Sequence, residues 1–82
     1  MANEEQLTQL VEYIARALVH DQEAVQVTAE RAHGGGTIVR LHVAPDDMGR
    51  VIGKDGQIAN AVRVLLRVGG FHDRKRITLD ID

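Results

Sequence analysis

The apolar positions of the chain fall into two periods, and the switches between them mark out its elements. Leu7, Leu10, Val11, Ile14 and Leu18 recur at three- and four-residue steps, so one apolar stripe and a helix over roughly 3–19 are predicted. Asn3 followed by Gln6 resembles a capping box, and Glu4 and Glu5 suit the positive end of a helix. From Ala24 the period becomes two. Val25, Val27 and Ala29 alternate with Gln26, Thr28 and Glu30, which reads as a half-buried strand. Gly34-Gly35-Gly36 interrupts, and then Val39, Leu41 and Val43 alternate with Arg40 and His42, so a hairpin is expected. Pro45-Asp46-Asp47 ends that strand and opens a short helix containing Met48, Val51 and Ile52, with both acids expected to act as helix caps.

The short helix stops at Gly53-Lys54-Asp55-Gly56. The apolar set Ile58, Ala61, Val62, Leu65 and Val68 then returns to helical spacing, closed by Gly69-Gly70 with Phe71 beyond. After His72-Asp73-Arg74-Lys75, Ile77, Leu79 and Ile81 alternate with Arg76, Thr78, Asp80 and Asp82, giving a last strand. The order α-β-β-α-α-β makes the first two strands antiparallel and, through a right-handed crossover, the second and third parallel. An α+β fold follows, with a three-stranded mixed sheet and helices packed on one face.

Composition narrows the function more than the fold. The 82 residues contain no Cys, no Ser and no Trp, with Tyr13 and Phe71 the only aromatics. A disulfide framework, a thiolate nucleophile, a Cys-type zinc site and a serine triad are thereby excluded. A platform of stacked aromatics for nucleic acid is excluded too. The start of the chain lacks the apolar run of a secretory signal, and no run approaches a membrane span of about 20 residues. A cytoplasmic location without membrane contact is expected.

The formal net charge of −2 hides an asymmetry. Residues 1–45 carry six acids against three bases, whereas residues 46–76 carry seven bases against four acids. A basic segment of this kind can meet a polyanion although the whole chain is acidic, and a solvated face of mixed sign is the plainer reading of charge alone.

The Gly53–Gly56 turn carries the chemistry. Glycines let the backbone bend sharply and remove Cβ atoms that would block a ligand. The helix that follows points its free N–H groups into the same space, where they favour a phosphate, and Lys54 adds a mobile positive charge. Two glycines at this spacing are also common in plain helix-turn-helix connections. A nucleotide-hydrolysing P-loop needs four residues between its glycines and then Lys with Ser or Thr, and this chain has neither. The Gly34–Gly36 tract joins two strands and is a turn. His20, His33, His42 and His72 fall on different elements at no ligand spacing, so neither a metal nor another cofactor is expected. No catalytic constellation is visible. A small-molecule substrate and an enzyme are not expected.

The stretch GRVIGKDGQIANAVR at 49–63 resembles the core of a KH RNA-binding domain, with its Ile-Gly-x-x-Gly-x-Ile signature. The order of elements matches the type II form of that fold over essentially the whole chain, one KH domain over 1–82, and is similar to the stand-alone KhpA family of small bacterial KH proteins. The resemblance implies single-stranded RNA clamped through its backbone by Gly53, Lys54, Asp55 and Gly56. Val51, Ile52 and Ile58 would floor an aliphatic groove for the bases, although core packing is an equally good account of Val51 and Ile58. Arg50, Arg74, Lys75 and Arg76 would line its rim, whereas Arg63 and Arg67 read as the wet face of the long helix. Asp55, unfavourable beside phosphate, is expected to face away or to cap that helix. The resemblance further implies self-association into a homodimer, pairing with a larger KhpB-like KH protein, and a role as an RNA chaperone or regulator in cell-wall homeostasis and cell length. A module whose main work is dimerisation or docking stays open as the alternative.

Overall fold

A computed structural model describes the backbone of residues 4–71 and 77–82, with side chains over 5–68 and 77–82. Helix α1 runs Glu4–Leu18, strands β1 and β2 span Gln26–Arg31 and Thr37–His42, helix α2 is Met48–Ile52, helix α3 is Gln57–Phe71, and strand β3 is Ile77–Ile81. The predicted α-β-β-α-α-β order therefore holds. Single 3-10 turns at Gln22–Ala24, Pro45–Asp47 and Lys54–Gly56 join the elements. Asn3, the expected cap of α1, lies outside the described residues.

The sheet order is β1-β2-β3, with the central β2 antiparallel to β1 and parallel to β3. Thr28 stands opposite Arg40 and Val39 opposite Leu79, so the rows from Thr37 to Leu41 of β2 combine one residue from every strand. The period-two pattern then sorts these rows between two faces. Val39 and Leu41 of β2 and Leu79 of β3 are buried under the helices, whereas Arg40, His42 and Asp80 are exposed on the opposite face. There Arg40 donates from Nε to Glu30 at 2.7 Å and from Nη1 to Asp80 at 3.1 Å, linking all three strands.

The core is aliphatic throughout. Leu7, Val11 and Ala15 of α1 meet Val39, Leu41, Val43 and Leu79 of the sheet segment and Val51, Val62 and Leu66 of the other helices. Leu66, Val11, Val39 and Val43 are wholly enclosed. Their burial is the principal stabilising term available to a chain with so few aromatics, at roughly 1.5–3 kcal/mol per enclosed Val or Leu.

Three local expectations are corrected. The backbone of α3 passes through Gly69 and Gly70 and ends at Phe71, so the glycine pair does not stop the helix. A glycine lowers helix propensity by about 1 kcal/mol against Ala, less than a helix seated on a sheet can absorb. The buried side of α3 is Ala59, Val62 and Leu66, with Ile58 half-buried, whereas Leu65 and Val68 are 50% and 63% exposed. An unbroken mixture of Val, Leu and Ala allows more than one helical stripe, and the sheet selects one of them. The first strand starts at Gln26 because the 3-10 turn takes up Gln22–Ala24.

Candidate nucleic-acid interface

Helix α2 ends at Ile52, and the N–H of the next residue, Gly53, donates to the carbonyl of Gly49 at 2.9 Å. Gly53 itself adopts φ 77° and ψ 173°, a region that glycine alone occupies readily. The reason for a glycine here is steric as well as torsional. A Cβ at this position would lie 2.7 Å from Cγ1 of Ile58, so Ile58 packs directly over the Gly53 backbone. Asp55 follows at φ 56° and ψ 25°, a left-handed conformation that Asp tolerates better than most side chains. The N–H of Gly56 closes the turn on the carbonyl of Gly53 at 3.2 Å, and α3 begins at the next residue.

This winding leaves the tip of the loop with unused donors. Among the described residues, the N–H groups of Lys54 and Asp55 have no acceptor, and the side chains of both residues are exposed and unpaired. Sequence reasoning offers Asp55 two placements, facing away or capping α3; its side chain is exposed and makes no hydrogen bond among the described residues, and its left-handed backbone is its structural contribution. Two free amides and one ammonium group on a turn with little side-chain bulk suit an oxyanion held through hydrogen bonds.

The predicted floor divides. Ile52 and Ile58 are half-buried beside the loop and offer apolar surface, whereas Val51 is 3% exposed and belongs to the core. Arg50 is exposed on α2, one turn from the loop, and its Nε lies 3.2 Å from Oδ1 of Asp47. Arg74, Lys75 and Arg76 lie outside the described residues. Arg50 through Gly56 and Ile58 are thus brought together on one continuous segment.

Asp47 is the residue whose role local sequence reasoning missed. It makes no capping hydrogen bond to α2. Its buried carboxylate instead accepts the backbone N–H of Asp21 at 2.9 Å and of His20 at 3.0 Å, just beyond the end of α1. Those two amides, with Arg50 adding to them, hold its pKa below the ordinary 3.8. The carboxylate therefore fastens the start of α2, and so the loop it carries, to the end of α1. Its partners are 26 and 27 residues away in the chain, so no short-range motif announces them.

Further along α3, Ala61, Val64, Leu65 and Val68 form an outward stripe, of which Val64 and Leu65 are each 50% exposed. Arg63 and Arg67 lie beside it, also exposed. Among the described residues, no helix is long and apolar enough to cross a membrane.

Comparison with known proteins places the chain in a family. The chain is 44% identical over 73 residues to the RNA-binding protein KhpA of Caldanaerobacter subterraneus subsp. tengcongensis, covering 89% of this chain and 96% of that protein. It is 41% identical over 75 residues to the RNA-binding protein KhpA of Clostridium acetobutylicum, covering 92% and 99%. The corresponding protein of Treponema pallidum is 44% identical over 73 residues, covering 89% and 90%. The model of the KhpA/KhpB KH domain matches residues 8–81, which include every described element of the sheet and the whole Gly53–Gly56 turn. On the strength of that match and of the fold that carries it, the chain belongs to the KhpA/KhpB KH-domain family.

Proposed function

We propose that this protein binds single-stranded RNA, with the backbone held at the Gly53–Gly56 loop and the bases against the aliphatic surface of Ile52 and Ile58. The observation that carries the reading is the pair of free N–H groups at Lys54 and Asp55, on a turn whose glycines leave room for a phosphate. Arg50 supplies positive charge beside it and Val51 is the buried residue next to Ile52, and the resemblance to KH domains adds Arg74, Lys75 and Arg76, which lie outside the described residues, to the rim. The names of the relatives, RNA-binding protein KhpA, support the same class of ligand. Recognition through backbone amides and aliphatic contact gives little base preference and modest affinity. The protein is then a binding protein rather than an enzyme, one KH domain over 1–82, acting in the cytoplasm as an RNA chaperone or post-transcriptional regulator. Its part in cell-wall homeostasis and cell shape is the one implied by its resemblance to the KhpA family.

The test is a loop variant. Lys54→Asp, with Asp55 retained, puts two carboxylates where the phosphate would sit. RNA binding, followed by fluorescence anisotropy, is expected to be lost while the circular dichroism spectrum is unchanged. Undiminished binding by that variant would show that the loop is not the site.

A second reading is favoured by the exposed stripe of Val64, Leu65 and Val68. In it the domain docks a second copy of itself, or a KhpB-like KH protein, through α3, and RNA binding is subsidiary. The Lys54→Asp variant separates the two: an interaction module keeps its partner when the loop is altered.

A further inference from the structure

We infer that the RNA track continues beyond the Gly53–Gly56 loop along one flank of α3, where Asn60, Arg63 and Arg67 hold the backbone of flanking nucleotides. The inference rests on the proposed role of the loop and extends it to a surface separate from the groove.

Successive residues of an α-helix turn by about 100°, so Asn60, Arg63 and Arg67 of α3 fall within about 60° of arc, and Gly56 stands just ahead of that helix. The three form a line that starts about one turn beyond the loop and rises along the helix for about two turns. Ile58, which covers Gly53 and belongs to the groove, lies nearly opposite that line. Asn60 and Arg63 are already in contact on this line. A Cβ on Gly56 would touch Nδ2 of Asn60 at 3.8 Å, and Nη1 of Arg63 donates to Oδ1 of Asn60 at 3.3 Å.

The charges of this flank, like those of Arg31 and Lys54, are uncompensated among the described residues, whereas three other arginines are paired. Arg16 pairs with Glu12 at 2.9 Å across one turn of α1, Arg40 with Glu30 and Asp80, and Arg50 with Asp47 at 3.2 Å. Arg63 and Arg67 have no acidic partner among the described residues. Helix α3 contains no Asp or Glu from Gln57 to Phe71, and its two arginines stand four residues apart, where like charges repel. This spacing costs the helix a little stability. An external polyanion that passes the loop is the partner that converts the repulsion into attraction, and RNA is the polyanion the loop already addresses. Guanidinium groups suit phosphate oxygens through paired donors.

The experiment compares two lengths of oligouridylate on the wild type and on Arg63→Gln/Arg67→Gln. The short strand has about four nucleotides, the length a KH loop clamps, and the long one about twelve. The double variant should bind the short strand as the wild type does and the long strand roughly five- to tenfold more weakly. Its log–log salt slope on the long strand should be shallower by about 1.4, two contacts at about 0.7 each. Arg63→Lys/Arg67→Lys should restore most of that slope, since the charge is kept. Equal affinity and equal slope on the long strand for wild type and the Gln variant would overturn the track while leaving the loop assignment intact. A wild type that binds neither strand would overturn the loop assignment and the track with it. Helicity by circular dichroism and mass by light scattering confirm that the variant retains its fold and association state.

Discussion

Gly53 and Ile58 occupy the same space from two sides: Ile58 closes over the Gly53 backbone so tightly that a Cβ there would sit 2.7 Å from its Cγ1 and 3.0 Å from its Cβ. The groove wall and the loop are therefore one packing unit. Gly53→Ala must both strain the backbone at φ 77° and displace Ile58. A loss of about 1–3 kcal/mol is expected from the backbone alone. Gly56→Ala shares the positive φ, 76°, but its Cβ meets nothing closer than Asn60 at 3.8 Å, so about 1–2 kcal/mol is expected. Urea unfolding of the two variants checks the order. A Gly56 variant less stable than the Gly53 variant would contradict the packing argument.

Asp47 links stability to acid. Its folded-state pKa is depressed, chiefly by the N–H groups of Asp21 and His20 and further by Arg50. For a depressed carboxylate, the stabilisation is complete above the unfolded pKa of about 3.9 and disappears as pH falls through the lower, folded value. Between neutrality and about pH 5 this group should leave stability unchanged, and below about pH 4 its contribution should decline. Asp47→Asn keeps the shape but presents only one acceptor oxygen to two N–H donors. It should lower the urea midpoint at pH 7, and its stability should fall less steeply than that of the wild type below about pH 4. Parallel acid limbs for the two proteins would count against the carboxylate.

Patterns confined to one element are legible in the amino-acid sequence alone. The alternation of Val39, Leu41 and Val43, and of Ile77, Leu79 and Ile81, is enough to find β2 and β3 and the faces they bury, because a strand can present only two faces. The Gly53–Gly56 turn is legible because glycine at a helix-to-helix corner is a conformational requirement. Features set by long-range contact are not. Asp47 looks like a local cap, and only the approach of α1 makes it a latch for His20 and Asp21. Helix α3 is apolar on more than one side, so its period alone does not choose between Leu65 and Leu66. The free amides of Lys54 and Asp55 depend on φ and ψ, which residue type constrains only loosely outside glycine and proline.

Asp55 carries a left-handed conformation and a negative charge, and the two are separable. Asn shares the tolerance of that backbone region but is neutral. Asp55→Asn should leave stability within about 0.5 kcal/mol of the wild type. Its removal of an exposed carboxylate beside the proposed phosphate site should tighten RNA binding roughly two- to fivefold, with the gain shrinking at high salt. Fluorescence anisotropy at two salt concentrations reads both effects. Weaker binding by the Asn variant would mean that the carboxylate itself assists the ligand.

Leu65 and Leu66 are neighbours in the chain with opposite assignments, and this makes α3 testable. Leu66 is wholly enclosed, so Leu66→Ala should cost about 2–5 kcal/mol through lost transfer energy and a cavity. Leu65 is half exposed in line with Val64 and Val68 on a surface that nothing in the chain covers among the described residues. Leu65→Asp should leave the monomer fold intact, with a circular dichroism spectrum matching the wild type. A carboxylate at the centre of an apolar contact is costly when it is desolvated, so a dimer formed through this stripe should dissociate. Light scattering across a concentration series should show the wild type passing from one to two chain masses and the Leu65→Asp variant remaining at one. If the wild type dimerises and the variant dimerises equally well, the contact lies elsewhere. If the wild type stays at one chain mass throughout, the stripe does not serve self-association, and docking of a KhpB-like protein becomes the form of the second reading to test with the same substitution.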